Sequence, residues 1–136
     1  MVSTSTAHPT SHQYLTAHTP DASPNQHILP LTARVNDRDC LEVGGCDVTE
    51  LVQQFGSPLY ILDEASVRTA CQQYRDGWQK YYPGESLVIY ASKAWSCLAI
   101  CAIVGSEGLG IDAVSGGEIL TALKAGVSAE NIYFHG

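Results

Sequence analysis

From Leu87 onward the chain alternates short apolar runs with segments about one helix long, and this alternation constrains the fold more than any other feature. Leu87-Val-Ile-Tyr-Ala91 is a continuous apolar run, the pattern of a parallel strand covered on both faces. Ser96 to Val104 is almost wholly apolar, which predicts a well-buried helix. Gly110 to Val114 predicts a second strand. Ser115-Gly-Gly-Glu118 opens another helix, with Ile119, Leu120 and Leu123 expected on its inner side and Gly126 at its end. Ile132-Tyr-Phe134 begins a third strand. Strands and helices joined by short loops imply right-handed βαβ units in a parallel sheet, so the fold class is α/β. A three-stranded sheet that stops at Gly136 would leave its last edge without a covering helix, so the sheet reads as incomplete. At 136 residues the chain has room for one ordinary domain. A complete (β/α)8 barrel needs far more, ~250 residues.

Upstream, three segments differ in composition. Residues 1–27 are rich in Ser, Thr, His, Pro and Ala and show no period, so they are expected to form a disordered tail. His8, His12, His18 and His27 lie there at irregular spacing, which suits a solvated polar tail better than a metal site. The segment has no arginine, which weighs against a plastid-type transit peptide. Leu41-Glu-Val43 before Gly44-Gly45 predicts a strand entering a tight turn. Asp47-Val-Thr-Glu50 has the form of an N-cap with an acid three residues later. Val48, Leu51, Val52 and Phe55 follow at helical spacing, and Gly56 and Pro58 stop the helix. Leu59 to Leu62 predicts a short strand. Asp63 is placed to cap a second helix with the stripe Val67, Ala70, Cys71, Tyr74 and Trp78, broken by Pro83-Gly84.

Charge and cysteine content narrow the function classes. A net charge of −7 argues against a nucleic-acid or anionic-membrane partner, both of which need a basic surface. No apolar run reaches the ~18 residues of a transmembrane helix, and no secretory signal is visible. The five cysteines then read as reduced, mostly buried thiols of a cytoplasmic protein.

Several residues could carry chemistry. Lys93 follows the first apolar strand, on the face shared by Ile89 and Ala91. Ligands of parallel α/β folds sit at the carboxyl ends of the strands. An amine desolvated there would favour its neutral form and could attack an aldehyde. A lysine snorkelling from a strand end is the simpler reading of the residue alone. Asp112 holds the matching place on the next strand, where it faces the same pocket or is a solvated acid near a helix start. Glu118 completes a capping box with Ser115, reaching back to the Ser115 amide. Gly116 and Gly117 permit a sharp strand-to-helix turn, and the helix N-terminus leaves open a phosphate site. Cys97 and Cys101 lie one turn apart without a second pair to complete a zinc site, so no metal is expected. His135, after the third strand, could face the same pocket, and Trp95 could wall it.

Taken together, Tyr90-Ala-Ser-Lys93-Ala94, Gly110-Ile-Asp112-Ala-Val-Ser115-Gly-Gly-Glu118 and Phe134-His-Gly136 resemble the group IV, fold-type III decarboxylases, which depend on pyridoxal 5'-phosphate (PLP). Phe55-Gly-Ser-Pro-Leu-Tyr-Ile-Leu-Asp63-Glu64 looks like the family's Gly-Thr-Pro-Leu-Tyr-Val-Tyr-Asp-Glu stretch. The match runs in order from about Cys40 to the end. Ser-Gly-Gly-Glu and Phe-His-Gly look most like the diaminopimelate decarboxylases within that family.

The resemblance implies a (β/α)8 barrel with a β-domain. Residues 28–63 would be the N-terminal segment of the β-domain, and residues 64–136 the first βα units of an incomplete PLP-binding barrel. It implies that Lys93 carries the cofactor as a Schiff base, that Ala91 packs near it, and that Asp112 and Glu118 line the pocket wall. His135 joins the cofactor-binding set as a pocket-facing residue, although it stands too early to match the family's ring-stacking histidine. Trp95 departs from the asparagine usual after Lys-Ala. The phosphate-binding glycine loop, the acid partner of the pyridine nitrogen and the C-terminal cysteine and tyrosine would all come later. The implied reaction converts meso-2,6-diaminopimelate to L-lysine, the last step of lysine biosynthesis, in a head-to-tail homodimer, with this stretch inactive alone. The alternatives are a same-fold ornithine, arginine or carboxynorspermidine decarboxylase, or a non-catalytic PLP-binding or regulatory relative.

Overall fold

The structure is a computed structural model, and it describes residues 26–136. The tail expected over residues 1–27 lies outside the described residues up to residue 25; Gln26–Ile28 form one 3-10 turn. The chain divides into two compact units, one ending at Asp63 and the other spanning Glu64–Gly136.

The first unit is an antiparallel meander of β1 (Arg34–Val35), β2 (Leu41–Val43) and β3 (Cys46–Asp47), followed by helix α1 (Val48–Phe55). β1 and β3 are two residues long, too short to leave a period in the sequence. Gly44 and Gly45 have φ of 60° and 80°. Both central residues of the β2–β3 connection are thus left-handed, the two-residue turn that matches the twist of paired strands. The Asp47 carboxylate accepts from the Thr49 and Glu50 amides and caps α1, which ends at Gly56 with φ 85°. The stripe of α1 is only partly covered: Val52 and Phe55 are exposed. The strand expected at Leu59–Leu62 does not form. A strand requires a ladder partner, none pairs with this segment among the described residues, and Tyr60 is 94% exposed.

The second unit contains α2 (Glu64–Tyr81), β4 (Ile89–Ala91), α3 (Leu98–Ser106), β5 (Gly110–Ala113), α4 (Gly116–Lys124) and β6 (Ile132–Phe134). The sheet order is β4-β5-β6, with both pairs parallel. This is the βαβαβ arrangement that the alternation predicts. Its core gathers Ile111 and Ala113 of β5, Ile100, Cys101 and Val104 of α3, Ala122 of α4, Cys71 of α2, and the loop residues Leu109 and Val127.

β5 is the strand covered on both faces. Close approach also requires its Gly110, where a Cβ would lie 2.6 Å from the Asn131 carbonyl oxygen. α2 is joined to the C-terminal end of α3 by charge. Arg68 Nη1 donates to Glu107 Oε1 at 2.8 Å, Gln72 Nε2 donates to Glu107 Oε2 at 3.0 Å, and Arg75 Nη1 donates to the Glu107 carbonyl at 2.8 Å.

Several burial expectations are corrected. β4 is shorter than the run Leu87–Ala91, and Leu87 and Ile89 are exposed rather than covered on both faces, because only β5 flanks β4 among the described residues. α3 buries one face and leaves Leu98, Ala99 and Ala102 exposed. On α4 the buried residue is Ala122, with Ile119 half-buried and Leu120 and Leu123 exposed. At ~100° per residue, Leu120 points well away from the side shared by Ile119 and Ala122. The α2 stripe is covered through Val67, Ala70 and Cys71, but Tyr74 and Trp78 are exposed. Only Cys71 and Cys101 of the five free cysteines are buried.

Candidate active site at the carboxyl edge of the parallel sheet

The parallel register sets the site. Ala91 lies beside Asp112, and Asp112 beside Tyr133, so the carboxyl ends of the three strands lie along one edge. Beyond β4 the chain enters a 3-10 turn, Ser92–Ala94, which carries Lys93. Lys93 therefore stands on a turn rather than on the strand face expected from alternation with Ile89 and Ala91. It is exposed, so the apolar surroundings that would strip its hydration are not supplied by the described residues.

Asp112 lies on β5 with its side chain 19% exposed. His135 follows β6. Its amide donates to the Ala113 carbonyl at 2.9 Å, and its Nδ1 lies 3.7 Å from Asp112 Oδ1. That separation is too long for a hydrogen bond but brings the two groups to one edge. Ala91 is half-buried behind them.

Glu118 departs from its expected geometry. The Ser115 hydroxyl accepts from the Glu118 amide at 3.2 Å, which is the cap. The Glu118 carboxylate, however, accepts from the Val114 amide at 2.6 Å and from the Ser92 hydroxyl at 2.8 Å. The Val114 amide first, and the Ser92 hydroxyl next, hold this carboxyl below its ordinary value, against the opposing effect of desolvation; the Ser115 amide adds a smaller pull. The box thus closes mainly one residue further back than its sequence form suggests. With an anionic carboxylate folded over the start of α4, a phosphate there would meet like charge, so this helix start is a poor phosphate seat.

Sequence reasoning missed Ser92, which is fully buried. Its place beside Lys93 in a short motif was the available signal, but a serine carries no period that announces burial. Trp95 is exposed, and its carbonyl accepts from the Tyr90 hydroxyl at 3.3 Å. Burial pushes the Cys101 and Cys71 thiols up, which keeps both protonated and inert. Among the described residues no group of three His, Cys, Asp or Glu side chains converges on a metal position. No helix there is long and apolar enough to cross a membrane.

The chain as a whole is similar to known proteins. The family model for the pyridoxal binding domain of pyridoxal-dependent decarboxylases matches residues 65–136, more than half of the chain. Diaminopimelate decarboxylase of Synechocystis sp. is 55% identical over the whole of this chain, which corresponds to 31% of that protein. The enzyme of Bacillus subtilis is 41% identical over 77% of this chain and 24% of its own length. The crystal structure of diaminopimelate decarboxylase from M. jannaschii superposes with a TM-score of 0.67 at 30% identity, covering 77% of this chain and 25% of that one. The chain thus spans about a quarter to a third of the length of the relatives it matches. Its three parallel strands and their helices correspond to part of the fold-type III barrel of those decarboxylases. The chain belongs to the pyridoxal-dependent decarboxylase family and carries residues of its pyridoxal-binding domain.

Proposed function

We propose that this chain is the cofactor-carrying part of a diaminopimelate decarboxylase, with Lys93 as the residue that holds pyridoxal phosphate. The observation that carries the proposal is the position of Lys93, exposed on the turn that follows β4 at the carboxyl end of the parallel sheet. The residues present fit the carbonyl end of the cofactor. A primary amine suits an aldehyde, and among the described residues no ion pair or hydrogen bond engages the Lys93 ammonium.

In this reading Lys93 Nζ forms the bond to the cofactor, and Ala91 leaves room beside it. Asp112 and Glu118 belong to the wall of the pocket in this reading. His135, 3.7 Å from Asp112, completes the rim. When bound, pyridoxal phosphate supplies the electron sink that accepts the pair left behind as carbon dioxide departs. The substrate assignment to meso-2,6-diaminopimelate rests on the relatives, and one M. jannaschii structure, 32% identical, is in co-complex with L-lysine, the product of that reaction. Residues 28–63 are the first segment of a β-domain, and residues 64–136 begin the barrel. The complete enzyme is a cytoplasmic homodimer.

The test uses the full-length protein. Borohydride reduction followed by peptide mass spectrometry should find a pyridoxyl group on Lys93. Lys93→Ala should lose both that adduct and lysine formation from meso-diaminopimelate. An adduct on Lys80 or Lys124 instead would refute the assignment.

A further inference from the structure

Lys93 is exposed, but the residue before it is sealed inside the protein. Ser92 has 0% of its surface accessible. Its Oγ lies 2.8 Å from the Asp112 carbonyl oxygen and 2.8 Å from Glu118 Oε2. A hydroxyl has one proton to donate. Of the two acceptors the ionised carboxylate is the stronger. Glu118 in turn holds the Val114 amide at 2.6 Å, and its own amide is held by Ser115. One buried hydroxyl therefore connects the Lys93 turn to the end of β5 and the start of α4.

The turn is tied at its far end by the Tyr90 hydroxyl, which donates to the Trp95 carbonyl at 3.3 Å. Ala91 precedes it without a side-chain cap. Among the described residues, the Lys93 side chain makes no hydrogen bond. The Ser92–Glu118 contact anchors the residue next to Lys93 at the base of the turn.

We infer that Ser92 is a positioning residue, which acts through Glu118 to aim the Lys93 amine. With none of its surface accessible, it acts from behind the turn rather than from the open edge. The inference rests on the reading of Lys93 as the cofactor-bearing lysine. A purely structural serine would change stability and leave the kinetic constants alone. A positioning residue changes turnover while substrate binding persists.

The full-length protein tests this with meso-diaminopimelate as substrate. Ser92→Ala should keep borohydride-trappable pyridoxyl on Lys93 and leave KM within about twofold. Its kcat should fall on the order of ten- to a hundredfold, the scale of a misaimed reacting group. Ser92→Thr, which restores the donor, should recover most of that loss. In a Glu118→Ala background, Ser92→Ala should add little, because the two act as one unit. A Ser92→Ala protein with unchanged kcat overturns the inference, and so do independent, multiplicative losses from the two sites. Should Ser92→Ala fail to fold, Ser92→Thr is compared with Ser92→Val, which matches it in shape and lacks only the hydroxyl; equal kcat in that pair also overturns it. The adduct position in the unsubstituted protein separates the two levels. Pyridoxyl on Lys93 with a silent Ser92 removes this inference alone, whereas pyridoxyl on another lysine removes the reading of Lys93 as well.

Discussion

At the residue scale, Asp47 and Glu118 are carboxylates with opposite settings in the chain but similar physics. Each is held ionised by donors aimed at it. The Thr49 hydroxyl and then the Asn36 side-chain amide bring the Asp47 carboxyl down to about 2, with the Thr49 and Glu50 amides adding to the effect. Arg38 Nη2 donates to the same carboxylate at 2.8 Å. Because the folded value lies below the unfolded one, the stabilisation is fully present above the unfolded value and is lost as pH falls through about 2. Asp47→Asn keeps an N-cap acceptor and removes the charge. Acid unfolding of the first unit, followed by NMR of the Thr49 and Glu50 amides, should lose its steep dependence below pH ~4 in that variant. An unchanged acid midpoint would assign the transition to other groups. Lys93, Asp112 and Glu118 drew attention through the family resemblance, since from the residues alone Lys93 reads as a snorkelling lysine and Glu118 as a helix cap. Ser92 did not, since its two acceptors come from residues 20 and 26 positions away.

At the element scale, β5 is the piece on which the sheet depends. It pairs on both sides and supplies the buried Ile111 and Ala113. Gly110→Ala would drive a methyl to 2.6 Å from the Asn131 carbonyl oxygen and 3.0 Å from side-chain carbons of Ile89 and Leu87. The expected cost is about 1–3 kcal/mol, the usual range for overpacking, read as a lower denaturation midpoint. A variant as stable as the parent would mean that the β5–β6 approach relaxes freely. The existence and order of α1 to α4 followed from caps and periods within each segment. Which side of a helix is covered did not. α4 carries apolar residues at Ile119, Leu120, Ala122 and Leu123, and a period alone does not choose among such neighbours. The packing partners do, and here they cover Ala122 fully and leave Leu120 exposed.

At the scale of the molecule, the second unit builds the sheet edge followed by Lys93 and leaves that lysine exposed. Decarboxylation needs a site that excludes water and orients the departing carboxylate. Residues 1–136 expressed alone are therefore expected to release no carbon dioxide from meso-diaminopimelate, and the full-length protein to release it readily. Turnover by residues 1–136 in a purified, partner-free sample would contradict this.

The chain's own residue order determined the α/β class, the parallel βαβαβ succession and the placing of Lys93, Asp112 and Glu118 near the ends of elements. Those features are local: a period, a cap or a turn glycine acts within a few residues. The tertiary structure alone decided that Leu59–Leu62 finds no strand partner, that α3 and α4 cover only one side, and that Glu118 reaches Ser92 and Val114. Burial and hydrogen-bond partners join segments distant along the chain, and folding, not spacing, brings such segments together.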